Sequence, residues 1–203
     1  MGDIIIFCVI GDNFSGQFMT QMINLITNCF ANNYRPILSI RNDNNIYHAY
    51  NRIIGANIAD NKLELFADNK DLGEYKAIIF IDKDITVTFR EIERLIKSEY
   101  PITAAFCTNN NTPIVTNFII DNKFVMEDDM YNLDKIDNRY IEAKYVTFDT
   151  IAFKYGVFEM LTSTPFTMGN HQIYDPEFTL LDTLRKYGQK IMIDTNTRNK
   201  MYK

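Results

Sequence analysis

Histidine and cysteine are scarce in this chain, and an excess of positive charge is missing. Its 203 residues hold two histidines, His48 and His171, and three cysteines, Cys8, Cys29 and Cys107. Cysteines that are odd in number, far apart and set in apolar sequence give neither a disulfide framework nor a zinc knuckle, so reduced, buried thiols are expected. Two isolated histidines, one inside a helical pattern and one in a loop, form no Ser/His/Asp or Cys/His constellation and are expected to be structural or solvated. Lys+Arg number 21 against Asp+Glu 26, a net charge of -5, so nucleic acid is not expected as a partner. Long hydrophobic runs are absent as well. The longest uncharged apolar run, residues 4–10, is seven residues against the ~20 of a membrane-spanning helix. Asp3 stands where a secretory signal would be basic, and Gly11-Asp12-Asn13 follows without a cleavage pattern. No membrane span is therefore expected, and the expected location is cytoplasmic, a host's cytoplasm if the source is viral. The 22 Asn and 28 Ile, both encoded by A/T-rich codons, suggest an A/T-rich genome. Neither a dinucleotide fingerprint nor a P-loop occurs, and there is no internal repeat, linker or low-complexity tract beyond Asn109-Asn110-Asn111, which reads as a turn.

What is present is ordinary for one globular domain: 46% hydrophobic and 23% charged residues, enough for a sizeable core. The continuous β-branched and aromatic run over 3–10 predicts a strand buried on both faces of a parallel sheet. Phe14, Phe18, Met22, Leu25, Ile26 and Cys29 recur at helical spacing. A strand over 36–40 follows, then a second helical stripe of Tyr47, Tyr50, Ile54 and Ile58. This alternation predicts right-handed βαβ units. A third buried strand over 76–81 runs into Asp82-Lys83-Asp84, and Thr88 with Glu91 has capping-box spacing ahead of a helix carrying Phe89, Ile92, Leu95 and Ile96. Beyond Pro101, short strands over 102–107, 114–120 and 123–126 predict an antiparallel or mixed portion. A strand over 145–153, a short helix over 156–161, a polar loop over 162–175, a helix opened by Pro176 and closed by Gly188, and a strand over 190–194 complete the pattern.

Ligands of open α/β sheets bind beyond the carboxyl ends of the strands, so the loops at 11–16, 41–45 and 82–84 should converge on one crevice. Two carboxylates one residue apart at the end of a buried strand offer hard oxygen ligands for a divalent ion that bridges to phosphates. The segment Gly11-Asp12-Asn13-Phe14-Ser15-Gly16 places backbone N–H groups and a helix start where a polar or anionic ligand is favoured. It also suits an ordinary turn with a Ser or Asn cap.

Taken in order, four segments carry a resemblance: the first strand with its Ser-containing loop, Phe80-Ile81-Asp82-Lys83-Asp84-Ile85, Phe153-Lys154-Tyr155-Gly156-Val157-Phe158-Glu159, and Asp175-Pro176-Glu177-Phe178 leading to Ile191-Met192-Ile193-Asp194. The chain resembles the small GT-A-fold glycosyltransferases of phages, large DNA viruses and bacteria, over nearly its whole length. The resemblance implies an α/β fold: one GT-A-like domain over 1–203 with a mostly parallel sheet flanked by helices and a small antiparallel extension. Residues 1–100 would form its nucleotide-binding half and 101–203 its acceptor and sugar half. It implies a nucleotide-sugar donor, commonly UDP-linked, a glycan or glycoprotein acceptor, and a Mn2+ or Mg2+ ion held by Asp82 and Asp84. Gly11, Asp12, Asn13, Ser15 and Arg41 would hold the nucleoside, Asp82 lies near the ribose, Arg52 or Lys203 would meet the diphosphate, and Asp149 joins the donor-binding set. In an inverting hexosyl- or deoxyhexosyltransferase Glu177 would be the base, with Asp175 second and Asp149 a further candidate. The chain departs from the pattern in having Pro176-Glu177 for an acidic pair, Met201-Tyr202-Lys203 for His-x-Lys, Phe148-Asp149-Thr150 for a Gly-rich patch and Tyr50-Asn51-Arg52 for Arg-Asn. These departures motivate a second expectation, a non-catalytic carbohydrate-binding or assembly module. A nucleotidyltransferase ranks third, because residues 11–16 hold no Lys or Arg.

Overall fold

The computed structural model describes residues 2–59, 62–66, 73–108, 115–120, 123–126, 139–167 and 175–201. Strand β1 (Asp3–Ile10) has six consecutive buried side chains, so both its faces are covered, as its unbroken apolar sequence requires. It lies between β2 (Tyr34–Arg41) and β5 (Ala77–Ile81), parallel to both. Helix α1 (Gly16–Ala31) makes the first crossover. Ser15 caps it by accepting the Phe18 N–H at 3.0 Å, and Phe18, Met22, Leu25 and Cys29 face the sheet. Helix α2 (Ile46–Ile53) is capped by the Asn45 side chain and stops ahead of Gly55. There φ is +55°, and a Cβ would come within 2.9 Å of the Phe66 backbone. Ile58, expected on that helical stripe, therefore lies on β3 (Asn57–Ala59), which pairs with β4 (Lys62–Glu64).

All five residues of β5 are buried. After the turn at residues 82–84 come β6 (Ile85–Thr86) and α3 (Phe89–Lys97), which starts with a complete Thr88/Glu91 capping box. The rest comprises β7 (Ile102–Thr108), β8 (Val115–Ile120), β9 (Lys123–Met126), β10 (Tyr140–Ala143), β11 (Tyr145–Val146), β12 (Thr150–Lys154), α4 (Pro176–Lys186) and β13 (Ile191–Met201). The main sheet has the order β10-β13-β7-β12-β5-β1-β2. Strands β2, β1, β5, β7 and β13 run one way and β12 and β10 the other. The fold is thus an α/β domain with a mostly parallel sheet, and β8, β9 and β11 form its antiparallel extension. Alternate residues of each strand feed two cores. One holds Ile5, Phe7 and Val9 with the apolar stripes of α1 and α3; the other holds Ile4, Ile6, Phe80 and Phe153 with those of α2 and α4.

Three further expectations are corrected. The run over 145–153 is two strands in different ladders, β11 on β8 and β12 on β5 and β7, broken by a turn in which the Thr147 hydroxyl donates to Asp149 Oδ2 at 2.8 Å. Residues 155–160 form turns rather than a helix: Gly156 has φ +95°, and its N–H is taken by Glu159 Oε2 at 2.8 Å. Strand β13 runs seven residues past Asp194. The extension was hidden because the buried positions there are the polar Thr197 and Asn199. The antiparallel character also reaches into the main sheet, where β12 sits between β5 and β7. The loop with His171, the turn at 109–111 and Lys203 lie outside the described residues. Among the described residues no helix is long and apolar enough to cross a membrane.

The bend that carries β13 onward depends on Asp194. Its wholly buried carboxylate accepts Arg139 Nε and Nη2 at 3.2 and 3.0 Å, the Asn196 N–H at 3.1 Å and the Thr197 hydroxyl at 2.9 Å. Its register against β7 shifts between Asp194 and Arg198. Asp194→Ala leaves those donors without an acceptor and is expected to lower the unfolding free energy by about 3–5 kcal/mol. Thr88→Ala, which removes one helix cap, should cost only about 1 kcal/mol. Urea titration of both variants checks the ranking.

Candidate functional site

The three loops expected to meet do meet. The Gly11 N–H donates to the Arg41 carbonyl at 2.9 Å, joining the ends of β1 and β2. Gly11 has φ +144°, and a Cβ there would lie 3.2 Å from Lys83 Cδ, so the Lys83 side chain lies against the first loop. Residues 82–85 form a tight turn: the Ile85 N–H donates to the Asp82 carbonyl at 3.1 Å and the Asp84 N–H to Asp82 Oδ1 at 2.7 Å. Asp84 projects outward, with Lys83 Nζ 3.8 Å from its carboxylate.

Because β12 runs against β5, its first residues stand beside the last residues of β5. The Asp82 N–H donates to the Asp149 carbonyl at 2.9 Å. Cys107, near the end of β7, gives its thiol to the Asp149 carboxylate; burial first, and then the negative charges of Asp149 and Asp82, push that thiol far up. Asp82, Asp149 and Cys107 thus meet at one edge. The Asp82 carboxyl is raised above the usual carboxylate range, chiefly by partial loss of hydration and further because Asp84 adds a like charge, while the Asp84 N–H and Lys83 act the other way.

Behind this edge lies a second carboxyl pair. Asp175 caps α4, accepting the Glu177 N–H at 2.9 Å, and its other oxygen accepts the Tyr145 hydroxyl at 2.7 Å. Glu177 accepts the Tyr50 hydroxyl on Oε1 and the Phe148 N–H on Oε2, the latter at 2.9 Å. It thereby ties α4 to α2 and to the 147–149 turn. Burial pushes its carboxyl up to about 8, against the Tyr50 and Phe148 hydrogen bonds and with help from Asp175 and Asp149. Around it Tyr50, Phe80, Phe148 and Phe166 form an aromatic cluster with ring centroids 4.7–6.2 Å apart.

The remaining predicted residues are distributed as follows. Asp12 and Asn13 are exposed and bonded to each other at 3.1 Å. The Ser15 oxygen serves as the cap of α1. Arg41 is exposed beside Gly11, whereas Arg52 pairs with Asp43 at 3.3 Å. All three cysteines are free and buried, as expected. Sequence reasoning missed Cys107, Tyr50, Tyr145 and Phe148 as neighbours of the carboxylates. Each reads as a core residue by its pattern, and only the reversal of β12 and the seating of α4 bring them here.

Among the described residues no three His, Cys, Asp or Glu side chains are grouped so as to hold a metal ion. Asp82 and Asp84 put two carboxylates, hard oxygen donors of the kind divalent ions take, on one turn, with one Asp82 oxygen accepting the Asp84 N–H.

No family model and no curated protein matches the chain. Solved structures do. The chain is similar to A197 from STIV, at 10% identity over 95% of this chain and 82% of that one, with a TM-score of 0.57. Weaker similarities are to GalNAc-T7, crystallised with UDP, GalNAc and Mn2+ (11% identity, 100% and 43% of the chains, TM-score 0.47), and to the inositol-1-phosphate CTP transferase from T. maritima (8%, 99% and 89%, TM-score 0.46). At 10% identity the likeness to A197 establishes a fold alone, which the α/β domain of this chain shares.

The state of Glu177 predicts a pH dependence. With a folded value of about 8 against an ordinary 4.5, the folded chain binds more protons than the unfolded chain between these limits. This group's contribution to stability is therefore complete below 4.5 and is lost as pH rises through about 8, with a slope of at most ~1.4 kcal/mol per pH unit. Glu177→Gln mimics the protonated acid. Melting followed across that range should show a falling slope in the wild type that the variant lacks.

Proposed function

We propose that the chain is a nucleotide-sugar transferase, with the donor in the crevice bounded by Gly11, Arg41, Asp82, Asp84 and Asp149. The observation that carries this is the meeting of a phosphate-compatible βα loop, a paired-carboxylate turn and a third carboxylate at the carboxyl edge of one sheet. The proposed donor is a nucleoside diphosphate sugar, UDP-linked in the first instance, and the acceptor a hydroxyl of a glycan or glycoprotein.

Gly11, Asp12, Asn13, Ser15 and Arg41 flank the nucleoside at the start of α1, where the Asp12, Asn13 and Arg41 side chains are exposed. Asp82 and Asp84 would hold Mn2+ or Mg2+ against the diphosphate. When bound, such an ion offsets the negative charge that grows on the leaving diphosphate, and so stabilises the transition state more than the ground state. The Lys83 ammonium, held against the same loop, adds a further positive charge there. In an inverting transfer a carboxylate takes the acceptor's proton. Both oxygens of Glu177 are engaged and its carboxyl keeps its proton near neutrality, so the proposal gives Glu177 and Asp175 the task of positioning the 147–149 turn and Asp149 that of base. The same engagement of Glu177 favours the second reading, a binding module without turnover. Donor hydrolysis separates the two, since a transferase leaks some sugar to water and a module releases none.

Melting with UDP, GDP and dTDP sugars, with and without Mn2+, tests donor binding: a ligand at 100 times its dissociation constant adds ~2.7 kcal/mol of apparent stability. Asp84→Ala is expected to abolish the metal-dependent part of that gain. Asp149→Asn should leave donor binding intact and cut transfer by about 100-fold to 10,000-fold, while Glu177→Gln should stay within about threefold of wild type near neutrality. The reverse order of the last two variants would return the base to Glu177. The absence of any thermal shift would sink the donor site itself.

A further inference from the structure

A groove of about 610 Å³ lies between α1 and the β6–α3 connection, with none of the crevice's carboxylates in its lining. It falls within the roughly 300–1,000 Å³ of ligand-binding clefts. Its lining is chemically unusual for a chain with 23% charged residues: no side chain in it is ionisable. Four carboxamides (Gln17, Gln21, Asn24 and Asn28), three threonines and Phe89 dominate it. The carboxamides occupy positions 17, 21, 24 and 28, a spacing that makes one continuous stripe on α1 next to the buried stripe at 18, 22, 25 and 29.

The members of this stripe have different tasks. Gln21 is fixed at both ends: Nε2 donates to the Ile85 carbonyl at 3.1 Å and Oε1 accepts the Val87 N–H at 3.0 Å. It thereby clamps the far wall against α1. The carboxamides of Gln17 and Asn24, one turn to either side of it, form no side-chain hydrogen bond among the described residues. Phe89, half-buried and packed on Tyr34 with ring centroids 6.0 Å apart, adds an apolar surface. The groove is continuous in sequence with the crevice, since Gly16 follows Ser15 and Thr86 is two residues beyond Asp84.

An uncharged polar lining disfavours an ionic ligand, which would lose hydration without gaining a counter-charge. Unpaired carboxamides present a donor and an acceptor together, matched to the adjacent hydroxyls of a sugar ring, whose C–H face packs on an aromatic face. We propose that this groove binds a neutral glycan chain, with Gln17 and Asn24 as its specificity-determining contacts. As an acceptor track leading to the donor it rests on the transferase reading; as a glycan site it stands without it.

The test follows the side-chain carboxamide resonances of the isotope-labelled full chain during titration with chitotetraose, cellotetraose and maltotetraose, with a heparin tetrasaccharide as the charged control. The expected result is a shift of the Gln17 and Asn24 resonances with at least one neutral glycan and none with heparin, and a roughly two- to tenfold weakening in each of Gln17→Ala and Asn24→Ala. Both substitutions are on an exposed helix face where Ala favours the helix, and the wild-type titration needs no variant. Silence of these resonances with all three neutral glycans, equal response to heparin, or binding untouched by both substitutions overturns the proposal. UDP sugars titrated into the same sample separate the two claims. Shifts of the Gly11 backbone amide and the Asn13 carboxamide with a silent groove refute the groove alone, whereas a responding groove with a silent crevice upholds the glycan site and refutes the transferase reading.

Discussion

One reversed strand decides where the chemistry of this molecule can be. If β12 ran with its neighbours, the residues before it would emerge at the far edge of the sheet. Because it runs against both β5 and β7, the start of one strand meets the ends of two others, and Asp149 shares a hydrogen bond with Asp82 and a thiol with Cys107. Parallel α/β sheets gather loops from strand ends alone. Here the same edge also receives a turn, and with it a carboxylate that accepts the Cys107 thiol and the Thr147 hydroxyl.

That turn needs support, which comes from across the molecule. Phe148 is pinned by Glu177, and Glu177 by Tyr50, so a helix 127 positions later in sequence fixes the relation between α2 and the crevice. A buried carboxyl in such a place is least costly when it carries its proton and all its polar atoms have partners. The aromatic cluster around it supplies the low-dielectric surroundings that raise its affinity for that proton, and the two hydrogen bonds limit how far it rises. Structure and acidity therefore have one cause.

Much of this was legible in the sequence. Strand β1 is legible to the residue because seven positions of unbroken apolar character behind Asp3 admit few alternatives, and the Thr88/Glu91 box marks the start of α3 because capping is local chemistry. The placement of Asp82 and Asp84 at the end of an interior strand followed from the same kind of signal. What could not be read was non-local. The break at residues 147–149 is hidden within an apolar run, Gly156 converts an apparent helical stripe into turns by its positive φ, and the far half of β13 buries Thr197 and Asn199 where a hydrophobic pattern would have been sought. Glu177 was visible as an acidic residue in the first turn of a helix, but the two donors that occupy its oxygens come from Tyr50 and Phe148, and no spacing announces them.

The position of β13 also bears on how the chain reaches its native state. This strand, late in the sequence, is interior in the sheet, flanked by β7 and β10. During synthesis, therefore, β1, β2 and β5 can assemble with α1 and α2 while β7 still presents an open row of backbone donors and acceptors, a surface prone to pairing with the wrong chain. Arrival of residues 191–201 closes two edges at once. Vectorial folding of this protein is thus a staged process, in which the loops at residues 11–16 and 82–84 can be in place before the sheet that carries them is sealed.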